Sequence, residues 1–159
     1  MNTKKLILIG AVPLLAGLLR NAVVNLPVVG GLLMALIPWV MAVFWIMAGH
    51  RVGQSQRSPF SSLALAHWST LLCVLCAIWQ AGFVPNESHI SFFYTLAQLP
   101  VGLIPGVIGL VMPLAQEGNV ISGNSMVLWG APVTGLALVL LFALGFFLGR
   151  NAKKAHAVK

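Results

Sequence analysis

The chain has 159 residues, of which 59% are hydrophobic and only 7% are charged. An average soluble domain is about 25% charged, and a globule of this size has too little interior to bury so much apolar surface. The composition therefore disfavours a soluble enzyme, a disordered chain and a secreted disulfide-bonded scaffold. It predicts an all-α, polytopic transmembrane helical bundle with little mass outside the membrane.

Polar residues divide the sequence into five apolar segments: 6–24, 26–48, 63–84, 92–115 and 126–148. Each is close to the roughly 20 residues that a membrane-crossing helix needs. No intervening stretch is long enough for a second domain, so residues 1–159 are expected to form a single integral membrane domain. Gly49 followed by basic residues predicts the end of the second helix, and Ser58-Pro59 predicts the start of the third.

Segment 92–115 has an unusual composition. Prolines remove backbone hydrogen bonds, and broken backbone is tolerated at membrane depth only where protein or water satisfies it. The sequence thus predicts four crossing helices plus a broken segment that dips into the membrane and returns. The alternative is a kinked fifth span. The residues of this candidate broken-helix site are Pro100, Gly102, Pro105, Gly106, Gly109 and Pro113.

The positions of the charges distinguish the two arrangements. With four spans, one side has eight basic residues, and Arg20 and both acids, Glu87 and Glu117, lie opposite. Five spans divide the basic residues four against five, and omitting the first segment divides them seven against two. Lysine and arginine concentrate on the cytoplasmic side, which favours four spans with both termini in the cytoplasm, as in a bacterial cytoplasmic membrane. The eight residues are Lys4, Lys5, Arg51, Arg57, Arg150, Lys153, Lys154 and Lys159.

One side of the predicted helix 63–84 has small or weakly polar residues, and the other side has bulky ones. Small residues favour close helix contacts in membranes. We therefore expect a packing face, and the alternative is the polar lining of a pathway. The residues of the candidate face are Ser69, Cys73, Cys76 and Gln80. Two GxxxG spacings, Gly102/Gly106 and Gly145/Gly149, are weaker signals of close packing in so glycine-rich a sequence.

The tetrapeptide Cys73-Val-Leu-Cys76 resembles the CxxC motif of the four-helix, quinone-linked disulfide oxidases that reoxidise periplasmic thiol oxidants. The resemblance covers four residues and implies membrane thiol or quinone redox chemistry. Those enzymes have a second cysteine pair and an arginine after the motif. Here there are two cysteines in total, and Ala77 follows the motif. A redox function is therefore only a further alternative.

Single polar residues offer little else for chemistry. The four histidines lack the spacing that would place two metal ligands on one helix face, so no metal or cofactor is expected. His67 is predicted to lie near the lipid headgroups, with a proton-handling role as the alternative. Arg20 is expected to extend its side chain to the membrane surface, or alternatively to contact an anion or a lipid headgroup.

No catalytic fingerprint appears in the sequence, and we expect no enzyme activity. The predicted function is that of a small integral membrane protein, a subunit or accessory component of a membrane complex. Its expected partners are the lipid bilayer and another membrane protein or a second copy of itself, without nucleic acid. The alternative is a small oligomeric transporter, channel or lipid-handling protein that uses segment 92–115, because unwound helices form ligand sites in transporters.

Overall fold

The structure, a computed structural model, describes residues 2–55 and 57–157, with side chains as far as residue 155. The fold is all-helical apart from a short antiparallel hairpin, β1 (Gln116–Glu117) and β2 (Val120–Ile121). The α-helices of the described residues are α1 (Thr3–Val23), α2 (Val29–Gly53), α3 (Pro59–Ala66), α4 (Trp68–Phe83), α5 (Ser91–Gln98), α6 (Val107–Val111) and α7 (Gly123–Ala157). The all-α prediction is confirmed.

Three helices, α1, α2 and α7, are long and apolar enough to cross a membrane. Helices α3 and α4 meet at an angle of 60° and form a further candidate span when they are taken together. Three of the predicted segments thus form helices that are long and apolar enough to span a membrane, while the crossing itself and the number of crossings stay predictions. At 35 residues, α7 is about 50 Å long and exceeds the roughly 30 Å hydrocarbon core.

The prediction of one continuous helix over 63–84 is wrong. The backbone of His67 leaves the helical region, with φ −115° and ψ 11°, and this residue separates α3 from α4. The start of α3 at Pro59 is confirmed, and the Ser58 side chain caps it. No proline or glycine marks the break, which is why the sequence did not reveal it.

Helices α2 and α7 pack through a feature that we call the glycine seam. A Cβ atom added at any of its four glycines would lie 2.0–2.2 Å from a backbone carbonyl oxygen of the facing helix. The two helices can approach so closely only because these positions lack side chains. The four residues are Gly49, Gly53, Gly145 and Gly149. Helix α2 therefore does not end at Gly49 as predicted, since its last turn belongs to the seam.

The contacts of the seam also set the direction of the helices. Gly49 faces Phe142 and Gly53 faces Phe146, so the residue numbers rise together and α2 runs parallel to α7. Lys5 of α1 and Arg51 of α2 line one groove, so α1 runs antiparallel to α2. The C-terminal ends of α2 and α7 and the start of α1 consequently lie at one end of the bundle.

We call this end the basic end. The Arg57 side chain donates a hydrogen bond to Thr3 Oγ1 at 2.5 Å and joins the loop after α2 to the start of α1. Both acids lie at the opposite end of the bundle. Glu117 belongs to the hairpin that precedes α7, and Glu87 follows Asn86, which accepts a hydrogen bond from Asn124 at the start of α7. The described cations of the basic end are Lys4, Lys5, Arg51, Arg57, Arg150, Lys153 and Lys154, and Lys159 lies outside the described residues.

Candidate functional site

Segment 92–115 does not form a continuous helix. Helix α5 ends at Gln98, irregular turns occupy residues 99–106, and α6 follows for five residues. Gly102 and Gly106 have φ values of 77° and 78°, a region that residues with a Cβ rarely adopt. The two glycines therefore permit the turns that connect α5 to α6.

Both ends of this segment lie beside the start of α7. Tyr94 of α5 donates a hydrogen bond from its hydroxyl to Asn124 Oδ1 at 2.6 Å. After α6, the carbonyl of Ala115 accepts a hydrogen bond from the backbone N–H of Ser122 at 2.9 Å. The chain therefore enters the bundle and returns to the end from which it came.

The tip of the segment is attached to α1 by Arg20. The guanidinium donates a hydrogen bond from Nη1 to the carbonyl oxygen of Val101. A Cβ at Gly102 would lie 2.9 Å from Nη2, and a Cβ at Gly17 would lie 2.4 Å from the carbonyl oxygen of Leu99. Close packing and a charged donor together hold the unwound backbone against α1. Arg20 was predicted to reach the membrane surface; its guanidinium bonds to this backbone, and the depth of the side chain in the membrane stays a prediction.

The six residues of the broken-helix site do not form one cluster. Pro100 and Gly102 are buried near the contact with Arg20. Pro105 is half-buried, and the remaining three residues, Gly106, Gly109 and Pro113, are exposed. Only the first part of the predicted site therefore combines unwound backbone with a polar side chain.

All four residues of the candidate face on α4, Ser69, Cys73, Cys76 and Gln80, are buried. The Ser69 hydroxyl donates to the carbonyl of Gly10 on α1, and Gln80 Oε1 accepts from the backbone N–H of Ile90 at 2.8 Å. The Cys76 side chain lies in a cluster of small residues shared by α4, α5 and α7. The bulky residues of the opposite side, such as Leu75, are exposed.

His67 lies inside the bundle, 2% exposed, and its prediction as a residue near the headgroups is wrong. Its Nε2 atom accepts a hydrogen bond from the Trp45 indole at 3.0 Å, and Nδ1 lies 2.9 Å from the carbonyl oxygen of Leu63. An indole N–H only donates, and a carbonyl only accepts. The ring is therefore neutral with its proton on Nδ1, and it links the break between α3 and α4 to α2.

Within the described residues, no group of three or more histidine, cysteine or acidic side chains could hold a metal ion. The thiols of Cys73 and Cys76 are free and buried at 2% and 5% exposure. Packing within the bundle thus shields both thiols from contact with a soluble thiol oxidant.

Two features of the basic end were missed by the residue-by-residue analysis of the sequence. A groove of about 370 Å³ lies between α1 and α2, with Lys5 and Arg51 among its lining residues. A second hollow of about 390 Å³ is lined by cations that include Arg150, Lys153 and Lys154. In the sequence these residues indicate only the orientation of the chain, because their mutual positions depend on how α1, α2 and α7 pack.

No protein-family model matches the chain, and no curated protein or solved structure is similar to it. The structure has two distinctive parts: a broken segment attached to Arg20, and an end of the bundle where cations from three helices and one loop converge.

Proposed function

We propose that the protein is a non-catalytic, multi-pass membrane protein that serves as a subunit or accessory component of a membrane complex. The observation that carries this proposal is the convergence of seven described cations at the basic end. These side chains suit an acidic surface of a partner protein next to the membrane, because complementary charge guides and orients association.

The hydrogen bonds of the polar side chains inside the bundle support a structural role for these residues. Ser69 and Gln80 bond to backbone groups of neighbouring elements, and His67 is held between an indole and a carbonyl. Arg20 bonds to the broken segment. Each of these side chains thus joins elements of the fold, and the cations of the basic end form a charged surface that a partner could contact.

We further propose four crossings, formed by α1, α2, the bent pair α3–α4, and α7. Segment 91–115 then enters from the outer side and returns there, since both of its ends lie beside the start of α7. The positive-inside rule places the basic end in the cytoplasm. In this arrangement Ser55 is cytoplasmic and Asn119 faces the outside.

Cysteine labelling tests the four crossings. Ser55→Cys and Asn119→Cys are made in a chain that has Cys73→Ala and Cys76→Ala, and intact cells are treated with a membrane-impermeant maleimide. We expect Asn119→Cys to react in intact cells and Ser55→Cys to react only after permeabilisation. Equal labelling of both positions in intact cells would contradict this arrangement.

Site-specific photocrosslinking in native membranes tests the partner surface. A photoreactive residue at Lys154 samples the basic end, and the same residue at Leu75, which is 65% exposed on α4, is the matched control for a lipid-facing position. We expect one discrete protein adduct from Lys154 and lipid adducts alone from Leu75. Lipid adducts alone from both positions would overturn the subunit proposal.

A small oligomeric transporter or channel is the second candidate, and the unwound residues 99–106 favour it. In this function the Arg20–Val101 contact would be part of a substrate path, so Arg20→Gln should change solute flux in proteoliposomes. If the flux is unchanged, the Arg20–Val101 contact has a structural role only.

Redox activity through Cys73 and Cys76 is a further alternative. It is tested by the double alanine variant, which would lose function only if the thiols react.

A further inference from the structure

A long apolar groove follows α2 away from the basic end. Its first part, of about 370 Å³, lies between α1 and α2, and its second part, of about 390 Å³, continues along α2. Phe44 and Met47 line both parts, so the two parts adjoin each other along α2. We call the two parts together the α1–α2 groove.

The groove has charge at one end only. Lys5 and Arg51 line it at the basic end, and both side chains are exposed. Further along, the lining is apolar and ends at Trp39. The two acids of the chain lie at the opposite end of the bundle, so the carboxylates are remote from this pair of cations.

The length of the groove corresponds to one leaflet of a bilayer. Arg51 and Trp39 are 12 positions apart in one helix, a rise of about 18 Å at 1.5 Å per residue. Half of a hydrocarbon core of about 30 Å is about 15 Å. A trough with this length and two cations at its mouth matches the shape and the charge of a single lipid.

We propose that the α1–α2 groove binds one anionic phospholipid of the leaflet at the basic end. The phosphate lies between Lys5 and Arg51, and one acyl chain follows the groove toward Trp39. Two cations next to an apolar trough select a lipid with net negative charge over a zwitterionic one. The proposal rests on the membrane crossing of α1 and α2, and it does not depend on a protein partner at the basic end.

The basic end supplies its own control. Arg150 and Lys153 line the neighbouring hollow, outside the α1–α2 groove. Neutralising this pair removes the same charge from the same end of the bundle. If the basic end attracts anions in general, lipid binding should weaken equally in Lys5→Gln/Arg51→Gln and in Arg150→Gln/Lys153→Gln. If the groove is a specific lipid site, only Lys5→Gln/Arg51→Gln should weaken it.

Native mass spectrometry of the purified full-length protein tests the site, with phosphatidylglycerol and phosphatidylcholine offered in equal amounts. We expect one retained phosphatidylglycerol. Lys5→Gln/Arg51→Gln should weaken its binding by about 30-fold, or about fivefold for each cation near a membrane surface. Arg150→Gln/Lys153→Gln should change it less than twofold. Equal weakening by both pairs, or equal retention of the two lipids, would overturn the proposal.

The apolar part of the groove is tested separately. Val43 lines the groove and is 57% exposed, so Val43→Trp fills it without disturbing the core. We expect lower lipid retention in this variant and none of this loss in Leu75→Trp, the matched change on the exposed side of α4. Retention unaffected by Val43→Trp, or displacement of the lipid by inorganic phosphate, would show an anion site without an acyl-chain groove and overturn the proposal. In that case a partner protein can still be crosslinked at Lys154, so the lipid proposal can fail while the subunit proposal holds.

Discussion

The glycine seam and the tip of segment 92–115 hold the bundle together in different ways. In the seam, α2 and α7 are continuous helices that touch because four side chains are absent. At the tip, the backbone of residues 99–106 has left its helix, and Arg20 of α1 supplies a hydrogen bond to Val101. The first contact depends on volume, and the second depends on a donor.

This difference predicts how each region responds to substitution. Adding one methyl group to the seam forces two backbones apart, because the facing atoms are carbonyl oxygens that cannot move without the helix. Removing one donor at the tip leaves a partly buried carbonyl without its side-chain partner, which is costly where water is scarce. A substitution in the glycine seam should therefore destabilise the whole bundle, whereas a substitution at the tip should loosen only residues 99–106.

The largest effect is expected from Gly49→Ala. The new Cβ would lie 2.2 Å from the carbonyl oxygen of Phe142, and overpacking of this kind costs about 3 kcal/mol or more. The matched control is Gly31→Ala in the same helix, where no atom lies within 4 Å of the added Cβ and alanine favours the helix by up to about 1 kcal/mol. Reversible unfolding in mixed micelles measures both. Similar stabilities of the two variants would disprove the seam.

Arg20→Gln should have a smaller, local effect. The partly buried Val101 carbonyl loses a charged donor, which costs about 1 kcal/mol, the lower end of the range for an unsatisfied buried acceptor. Hydrogen exchange of residues 99–106 should therefore accelerate, while exchange in α2 and α7 stays the same. Arg150→Gln, at the opposite end, controls for the loss of charge. Unchanged exchange at the tip would show that close packing at Gly17 alone holds the segment.

The sequence predicted what hydrophobicity and charge determine locally. Three helices long and apolar enough to cross a membrane followed from apolar length, and the start at Pro59 followed from a capping serine. The same local reasoning placed the end of α2 at Gly49, because a glycine followed by basic residues is a common helix end. In the structure α7 covers this turn, so Gly49 and Gly53 are contact positions. A spacing of four residues between glycines was the available signal.

The candidate site was less predictable, because its contacts join residues distant in sequence. Arg20 and Val101 are 81 positions apart, and neither one indicates the other. His67 shows the same limit: its burial depends on an indole from α2. Composition identified segment 92–115 as the broken one, but it did not predict which side chain would bond its free carbonyl groups.

Trp45→Phe tests the bond that links α2 to the break at His67. The aromatic ring stays in the core while the donor to Nε2 is lost, and a hydrogen bond of this kind contributes about 1 kcal/mol. We expect the free energy of unfolding to fall by about that amount. Trp39→Phe, on a residue that is 63% exposed, should leave it unchanged. An equal response of the two variants would contradict a stabilising role for the Trp45–His67 bond.

The smallest expected effect lies in the hairpin, outside the candidate membrane spans. Hydrogen bonds from Ser125 and Ser122 lower the pKa of the exposed Glu117 carboxyl, and Ser125 donates at 2.6 Å. A carboxyl whose pKa is lower in the folded state contributes stability above its unfolded pKa and loses it as the pH falls through the folded value.

The protection of the amides of residues 116–121, measured relative to their intrinsic exchange rates, should therefore be greatest at neutral pH and should fall on acidification through the folded pKa of Glu117. Glu117→Gln should remove this pH dependence, and Ser125→Ala should move it to higher pH, because a weaker set of donors lets the carboxylate protonate earlier. Solvent screens an exposed carboxylate, so stability of the bundle should not follow the hairpin. A pH dependence that persists in Glu117→Gln would assign the effect to another group.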